Sequence, residues 1–285
     1  VTYLRHPEVY SDRKWNDYGY RTLLGHALRR ADQIVALSDS TRRDLAELCD
    51  VDEQRVWVIP HGLDERFHSV PEQEQETVLQ RLQLKQPFVL YPMGTLDLRK
   101  NLERTLQGFA AAFPNSSDRP HLVLTGVGAM PSEFQEVVQR LDLEKHLRLE
   151  TVRYPDELAT LMSAAMWGMY TTLYEGFGLP PLEAMACGLP MLVSSATSCP
   201  EVVGDAALLV DPYEVDSISQ GMRRLHEDGK LRKDLSQRGL QRAHSPAFRW
   251  SRAARQTHAA YRGDSEAFAR IPQPLALNRS RAELA

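Results

Sequence analysis

Short apolar runs alternate along this chain with stretches of helical periodicity, and that alternation narrows its fold more than any other feature. Leu23, Leu24, Ala27 and Leu28 recur at helical spacing between Tyr18 and Arg30, and the run from Ala31 to Leu37 reads as a buried parallel strand. Ser38-Asp39-Ser40-Thr41 offers small hydroxyl and acidic residues that cap a further helix, Arg42 to Cys49. A second short strand, Val56-Trp57-Val58-Ile59, runs into the breaker Pro60-His61-Gly62. Strand, helix and strand in that order predict a βαβ unit, hence a parallel sheet covered by helices.

From Pro71 to Gln86 the composition turns to Glu and Gln, with little apolar content before Val78, as expected of a solvated linker carrying at most one surface helix. A longer α/β series follows. Its predicted strands are 88–91, 121–125, 147–152, 167–172, 190–194 and a short run at 206–210. Its predicted helices are Asn101 (as cap) to Phe113, 132–141, 156–165, one near 182–186, 215–225, 230–242 and 248–262. Residues 263–285 lack periodicity and read as a loosely held tail. Alternation repeated this often predicts an open, doubly wound α/β domain rather than a barrel or a bundle.

Composition removes several classes of function. Lys plus Arg is 34 against 38 for Asp plus Glu, a net charge of −4, so the basic excess of a nucleic-acid binder is missing. Cys49, Cys187 and Cys199 cannot all pair, which favours a reducing compartment and a cytoplasmic location. No apolar run approaches the roughly 20 residues needed to span a bilayer. Arg29-Arg30 and Arg42-Arg43 are ordinary exposed helix charges by default. Their other reading is a peripheral contact with anionic lipid at the inner face of the membrane. The nine histidines form no His-x3-His or Cys/His ligand spacing, so no metal is expected.

In doubly wound sheets, ligands bind where strands pass into helices at their carboxyl ends. The most informative such loop runs from Tyr174 to Gly188. Gly176 and Gly178 let backbone N–H groups approach a ligand, Pro180 and Pro181 suit a helix start, and Gly188 suits the helix exit. Free N–H groups at that start suit phosphate. Glu175 precedes the helix and Glu183 is expected in its first turn, two acceptor-only carboxylates suited to sugar hydroxyls. Arg99-Lys100-Asn101 after the 88–91 strand brings a fork donor and a point charge to the same sheet edge, equipment for a diphosphate and for its departure. Acid pair, phosphate turn and cation pair together describe a site for a nucleotide diphospho-sugar.

Four segments carry a family resemblance: Glu175-x7-Glu183 within EGFGLPPLEAMACG, the GTLDLRKN loop, VIPHGLD and PEVVGDAALLVDP. In this the chain resembles the retaining family 4 glycosyltransferases over roughly Leu4 to Arg262. The resemblance implies a GT-B fold, two Rossmann-like domains facing each other across a cleft, with a complete donor domain here and a partial N-terminal one. The implied division is 1–64 for the end of the acceptor domain, 65–86 linker, 87–245 donor domain, 246–262 C-terminal helix and 263–285 tail. It further implies that Glu175 contacts the donor hexose and Glu183 the ribose. Arg99 and Lys100 hold the diphosphate beside Gly94 and Thr95, N–H groups of Gly176, Phe177, Gly178 and Leu179 assist, and main chain near Val152-Arg153-Tyr154 meets the base. No cofactor is implied; a GDP- or UDP-linked hexose is the co-substrate, and a glycan or lipid-linked molecule accepts the sugar.

The chain departs from the family pattern in three places. Thr95 stands where many members carry Arg, with Arg99 able to compensate, and Thr171-Thr172 replaces the usual Pro-Ser. Only about 60 residues precede VIPHGLD, where a whole domain needs on the order of 100–200 residues. Most of the acceptor domain is therefore expected elsewhere, in a longer protein or on another chain, and His6 is not assigned the family's cleft-histidine role. His61 reads as an interdomain hinge marker without a proton-transfer role, and Cys187 and Cys199 as packing residues. Two rival functions stay open: a nucleotide-sugar-binding module without activity of its own, and a nicotinamide oxidoreductase. Against the latter, Pro131 stands where the third glycine of a dinucleotide loop belongs after Gly126-Val127-Gly128.

Overall fold

The computed structural model describes residues 2–6, 14–126 and 128–271. Its N-terminal part holds α1 (Thr2–Arg5), α2 (Lys14–Arg30), β1 (Ile34–Ala36), α3 (Asp39–Cys49) and β2 (Val56–Val58). β1 and β2 pair in parallel, Ile34 opposite Val56 and Ala36 opposite Val58. Both strands are shorter than their apolar runs suggest, because each pairs on one side only among the described residues. Leu28, Ile34, Ala36, Leu45, Val51 and Val56 form a small core against them. The helix α3 begins three residues earlier than its periodicity predicts. Ser38, in extended backbone, accepts a hydrogen bond from the Thr41 N–H and so satisfies a first-turn donor.

The larger part runs α4 (Glu72–Arg81), β3 (Phe88–Pro92), α5 (Leu102–Ala112), β4 (His121–Thr125), α6 (Ser132–Arg140), β5 (Leu147–Glu150), α7 (Asp156–Ala164), β6 (Trp167–Tyr170), α8 (Leu179–Ala186), β7 (Met191–Ser194), α9 (Cys199–Val203), β8 (Leu208–Val210), α10 (Val215–Glu227) and α11 (Gly229–Ala243). Six strands form one parallel sheet in the order β5-β4-β3-β6-β7-β8. The chain winds outward from β3 to β5, then returns to the other side of β3 and winds on to β8. Neighbours β3 and β6 therefore flank the point where the winding reverses, which is where such sheets open a ligand crevice. Phe88 to Tyr91, Leu122 to Leu124 and Met191 to Val193 are buried on both faces, which is why these strands read as continuous apolar runs.

Two segments are packed more firmly than their composition indicates. Residues 65–86, expected as a linker, dock on this domain: α4 packs on α7, the Val70 N–H donates to Ser163 Oγ, and Phe67, Leu82 and Leu84 join the main core. Few apolar residues suffice there because they sit where the helix meets α7, while the Glu and Gln side chains mostly face solvent. The C-terminal helix α12 (Trp250–Tyr261) runs back to the N-terminal part. Ala253 and Ala260 pack on Ile59, and buried Arg252 donates to the Pro60 carbonyl at 2.6 Å. The short α13 (Ser265–Ala269) then sets Phe268 edge-on to Trp57, ring centroids 4.7 Å apart, so the tail is anchored at least this far. Residues 272–285 of the expected tail lie outside the described residues.

Gly126 closes β4 beneath the β3 loop at φ +80°, and a Cβ there would stand 2.5 Å from Gly94 Cα. Gly94 has φ +74° but open space around it. Gly126→Ala is therefore expected to destabilise the domain by ~2 kcal/mol or more, through both left-handed backbone and backbone collision. Gly94→Ala should lose only ~1 kcal/mol. Denaturant unfolding of the two variants checks this; equal losses would remove the collision as the cause.

Candidate active site

Two loops meet at the β3–β6 reversal. The loop after β3 carries a short 3-10 turn over Leu98–Lys100, and the loop after β6 leads through Glu175 into α8. The Leu173 N–H donates to the Arg99 carbonyl at 2.8 Å, tying one loop to the other. Asn101 makes no side-chain cap for α5, contrary to the expectation above. It adopts the left-handed conformation, φ 56°, and its amide donates to the carbonyls of Thr171 and Pro212 at 3.0 and 2.7 Å. Those two carbonyls lie in the buried floor of the site and need a donor, so the amide serves them instead of the helix end.

The sequence-predicted cations and carboxylate come together directly. Glu175 Oε1 accepts from Arg99 Nη1, Lys100 Nζ and Tyr170 Oη, each at 2.8 Å. Arg99 Nε also lies 3.2 Å from Asp97. The Lys100 side chain is only 5% exposed. Burial pushes its pKa below the ordinary 10.5, and the Glu175 charge acts against that loss. A buried ammonium is tolerated here because it is paired and hydrogen-bonded. Arg99 and Lys100 thus share Glu175 Oε1, with Asp97 a second carboxylate for Arg99, while Oε2 of Glu175 has no hydrogen-bond partner among the described residues.

Gly178 stands at φ +108° and forms the N-cap of α8 without a side-chain cap. Pro180 and Pro181 carry no N–H, so the backbone donors this turn could offer an anion reduce to those of Gly176 through Leu179. Phe177 can contribute only backbone: its ring is buried among His61 and Phe248, centroids 5.4 and 6.4 Å away. His61 also meets Trp250, at the join of the two parts, and burial lowers its pKa below 6.5. Gly94 and Thr95 are exposed at the mouth, where Thr95 Oγ1 donates to Asp97 Oδ2 at 3.0 Å.

Glu183 is the fifth residue of α8 and so lies in its second turn, not its first, because the helix starts at Leu179. It is buried and accepts from Tyr154 Oη at 3.0 Å. Burial raises its pKa to about 7, with the Asp64 charge adding to the rise. Tyr154, 62% exposed and tilted against Phe67, thus meets Glu183 through its side chain, where the sequence suggested its main chain.

Sequence reasoning missed what holds the turn. Ser198 Oγ bonds to the carbonyls of Glu175 and Phe177, both at 2.8 Å, and the Glu175 N–H donates to Thr197 Oγ1. From the N-terminal part, Ser38 Oγ and Thr41 Oγ1 donate to the Gly176 carbonyl, and Tyr174 Oη donates to Asp44. Glu201 of α9 accepts from the N–H groups of Asp39 and Ser40, both at 2.7 Å, capping α3 from the other part of the molecule. The hydroxyl cluster at the start of α3 was a visible signal, but its second partner, Gly176, is 135 or more positions away.

Glu183 binds its proton more tightly folded than unfolded, so stability from this group falls as pH rises from about 4.5 through about 7. Glu183→Gln is expected to raise stability above pH 8 by up to about 3 kcal/mol and to change little near pH 4. Unfolding free energies at both pH values check this; an equal effect at each would show that burial of the charge is not the cause.

Residues 73–242, more than half of the chain, match the family model described as glycosyl transferases group 1, and residues 2–67 match glycosyltransferase family 4. Among curated relatives, the O-antigen chain mannosyltransferase B of Escherichia coli is 35% identical over 241 residues, covering 84% of this chain and 62% of that protein. The MMP alpha-(1->4)-mannosyltransferase of Mycolicibacterium hassiacum is 26% identical over 268 residues, 91% of this chain and 59% of that protein. The chain thus spans about three-fifths of these two relatives. Among solved structures, Anabaena Alr3699/HepE in complex with UDP and glucose superposes with a TM-score of 0.75 at 20% identity, covering 85% of this chain and 66% of that one. This last likeness establishes the fold.

Proposed function

The chain belongs to the glycosyl transferases group 1 family, and we propose that it carries the donor site of a retaining glycosyltransferase acting in polysaccharide biosynthesis. It moves a mannose- or glucose-like hexose from a GDP- or UDP-linked donor to a glycan or lipid-linked acceptor. The observation that carries this reading is the convergence of Arg99, Lys100 and Glu175 beside the glycine turn, at the reversal point of the sheet. The mannosyltransferase relatives support a hexose, and the neighbour crystallised with UDP and glucose supports a nucleotide-linked one.

Lys100, Arg99 and the backbone N–H groups from Gly176 to Leu179 hold the diphosphate, with Gly94 and Thr95 at the mouth of the same loop. Glu183 accepts from ribose hydroxyls in place of Tyr154, and Glu175 Oε2 orients the hexose. Attack and departure take place on the same face of the sugar. The oxocarbenium-like transition state gains most from charge stabilisation on the leaving diphosphate, supplied by preorganised cations in a water-poor crevice. Glu175 acts as an orienting group and not as a covalent nucleophile. The protein works in the cytoplasm, at the inner face of the membrane when its acceptor is lipid-linked.

A second reading, a donor-binding module that turns over only when an acceptor domain is supplied, is favoured by one observation. The N-terminal part contributes a two-stranded sheet among the described residues, against six strands in the larger part.

Calorimetric titration with GDP- and UDP-sugars tests the donor assignment, and failure of every nucleotide to bind would overturn it. Lys100→Ala is expected to cut transfer about 10²–10³-fold while leaving nucleoside affinity nearly unchanged. Equal, small effects on both would remove Lys100 from the assigned role.

A further inference from the structure

We infer that Tyr170 is a positioning residue of the donor site, keeping Lys100 and Glu175 in register when a diphosphate draws the cations outward. This rests on the functional reading above. Tyr170 Oη, Lys100 Nζ and Glu175 Oε1 form a closed triangle with sides of 2.6, 2.8 and 2.8 Å. The phenol has one proton, which it gives to Glu175, and it accepts from the ammonium through its lone pair. The same bond sets Nζ 4.7 Å from the ring centroid, at the hydroxyl edge of the ring. Tyr170 itself is 1% exposed, so no water competes for either bond.

The backbone end of Lys100 is gripped in the same way. Tyr91 Oη donates to the Lys100 carbonyl at 2.5 Å, and the two tyrosine rings meet edge to face at 6.1 Å. Tyr91 lies on β3 and Tyr170 ends β6, so the two strands flanking the reversal each supply one phenol to the same lysine.

Donor counting gives the consequence. An ammonium has three N–H donors, and Lys100 directs them to two acceptors among the described residues, Tyr170 Oη and Glu175 Oε1. One remains for a phosphate oxygen. Without the phenol, Lys100 has only the carboxylate, and the ion pair closes on itself. The cation is then withheld from the diphosphate and the carboxylate from the hexose. A residue of purely structural importance would weaken every ligand of the site alike, whereas this one acts only on ligands that engage Lys100.

The test is calorimetry on the full chain with UDP-glucose and GDP-mannose, each against UMP and GMP. Tyr170→Phe should weaken the diphospho-sugar that binds about tenfold and leave the monophosphate nearly unchanged. In a Lys100→Met background the same substitution should have no further effect on the diphospho-sugar. 3-Fluorotyrosine at position 170 keeps the hydroxyl and gives a second measurement should Tyr170→Phe not fold. Its 19F signal should shift with the diphospho-sugar and not with the monophosphate. An unchanged diphospho-sugar affinity, a loss shared by the monophosphate, a loss that persists in the Lys100→Met background, or an unresponsive 19F signal overturns the inference while leaving the donor assignment in place. If the unsubstituted protein binds neither sugar nucleotide, the functional reading fails and takes the inference with it.

Discussion

One carboxylate oxygen organises the site. Glu175 Oε1 collects an arginine, a lysine and a phenol, and each of these comes from a segment fixed by the sheet order. Burial works against the charge on Lys100, and that oxygen offsets the loss. The cluster forms only because β3 and β6, far apart in sequence, are neighbours in space. A chain that wound its strands in sequential order would leave the basic loop and the acidic turn on separate strand ends. The electrostatics of the site is thus a property of the topology, and the topology is a property of the doubly buried strands.

The glycine turn is clamped from two directions, which explains why so little of it is glycine by necessity. Of Gly176 and Gly178, only Gly178 has a backbone angle that favours glycine. Rigidity comes instead from hydroxyls: Ser198 and Thr197 from within the domain, Ser38 and Thr41 from α3. Thr197 sits at φ 51°, an unfavourable conformation for a β-branched residue, and it uses that conformation to accept the Glu175 N–H. The N-terminal part therefore helps to set the position of Glu175 although it contributes no side chain to the charge cluster.

What could be read from the sequence, and what could not, follows from the range of the forces involved. The six strands of the main sheet were legible because burial on both faces leaves uninterrupted apolar runs. Glu175, Arg99 and Lys100 were legible as a set because each sits in a strand-to-helix loop, although their direct contact was not. Asn101 was misread because a local rule, asparagine as helix cap, lost to two buried carbonyls that come from 70 and 111 positions away. The α4 segment was legible as one surface helix but not as a docked one, because composition averages over positions, and a few apolar residues placed where α4 meets α7 outweigh many charged ones facing water. Tyr170 and Tyr91 were invisible as anything but core, since a buried phenol in a strand has the same sequence signature whether its hydroxyl is structural or functional.

On the proposed function, loading the site is an exchange of partners and not a simple addition. Arg99 and Lys100 already hold a full negative charge in Glu175, so an incoming anion must offer more than that carboxylate to draw them away. A monophosphate brings its charge to the turn alone, whereas a diphosphate can reach the glycine turn and the cation pair together. The internal ion pairs then act as a threshold on the second contact: only an anion long and charged enough to replace Glu175 gains the cation pair. As both cations turn toward the diphosphate, Tyr170 still holds Oε1, so the carboxylate keeps its place and Oε2 stays directed to the hexose. Diphosphate binding and hexose orientation thereby meet on one carboxylate, one on each of its oxygens.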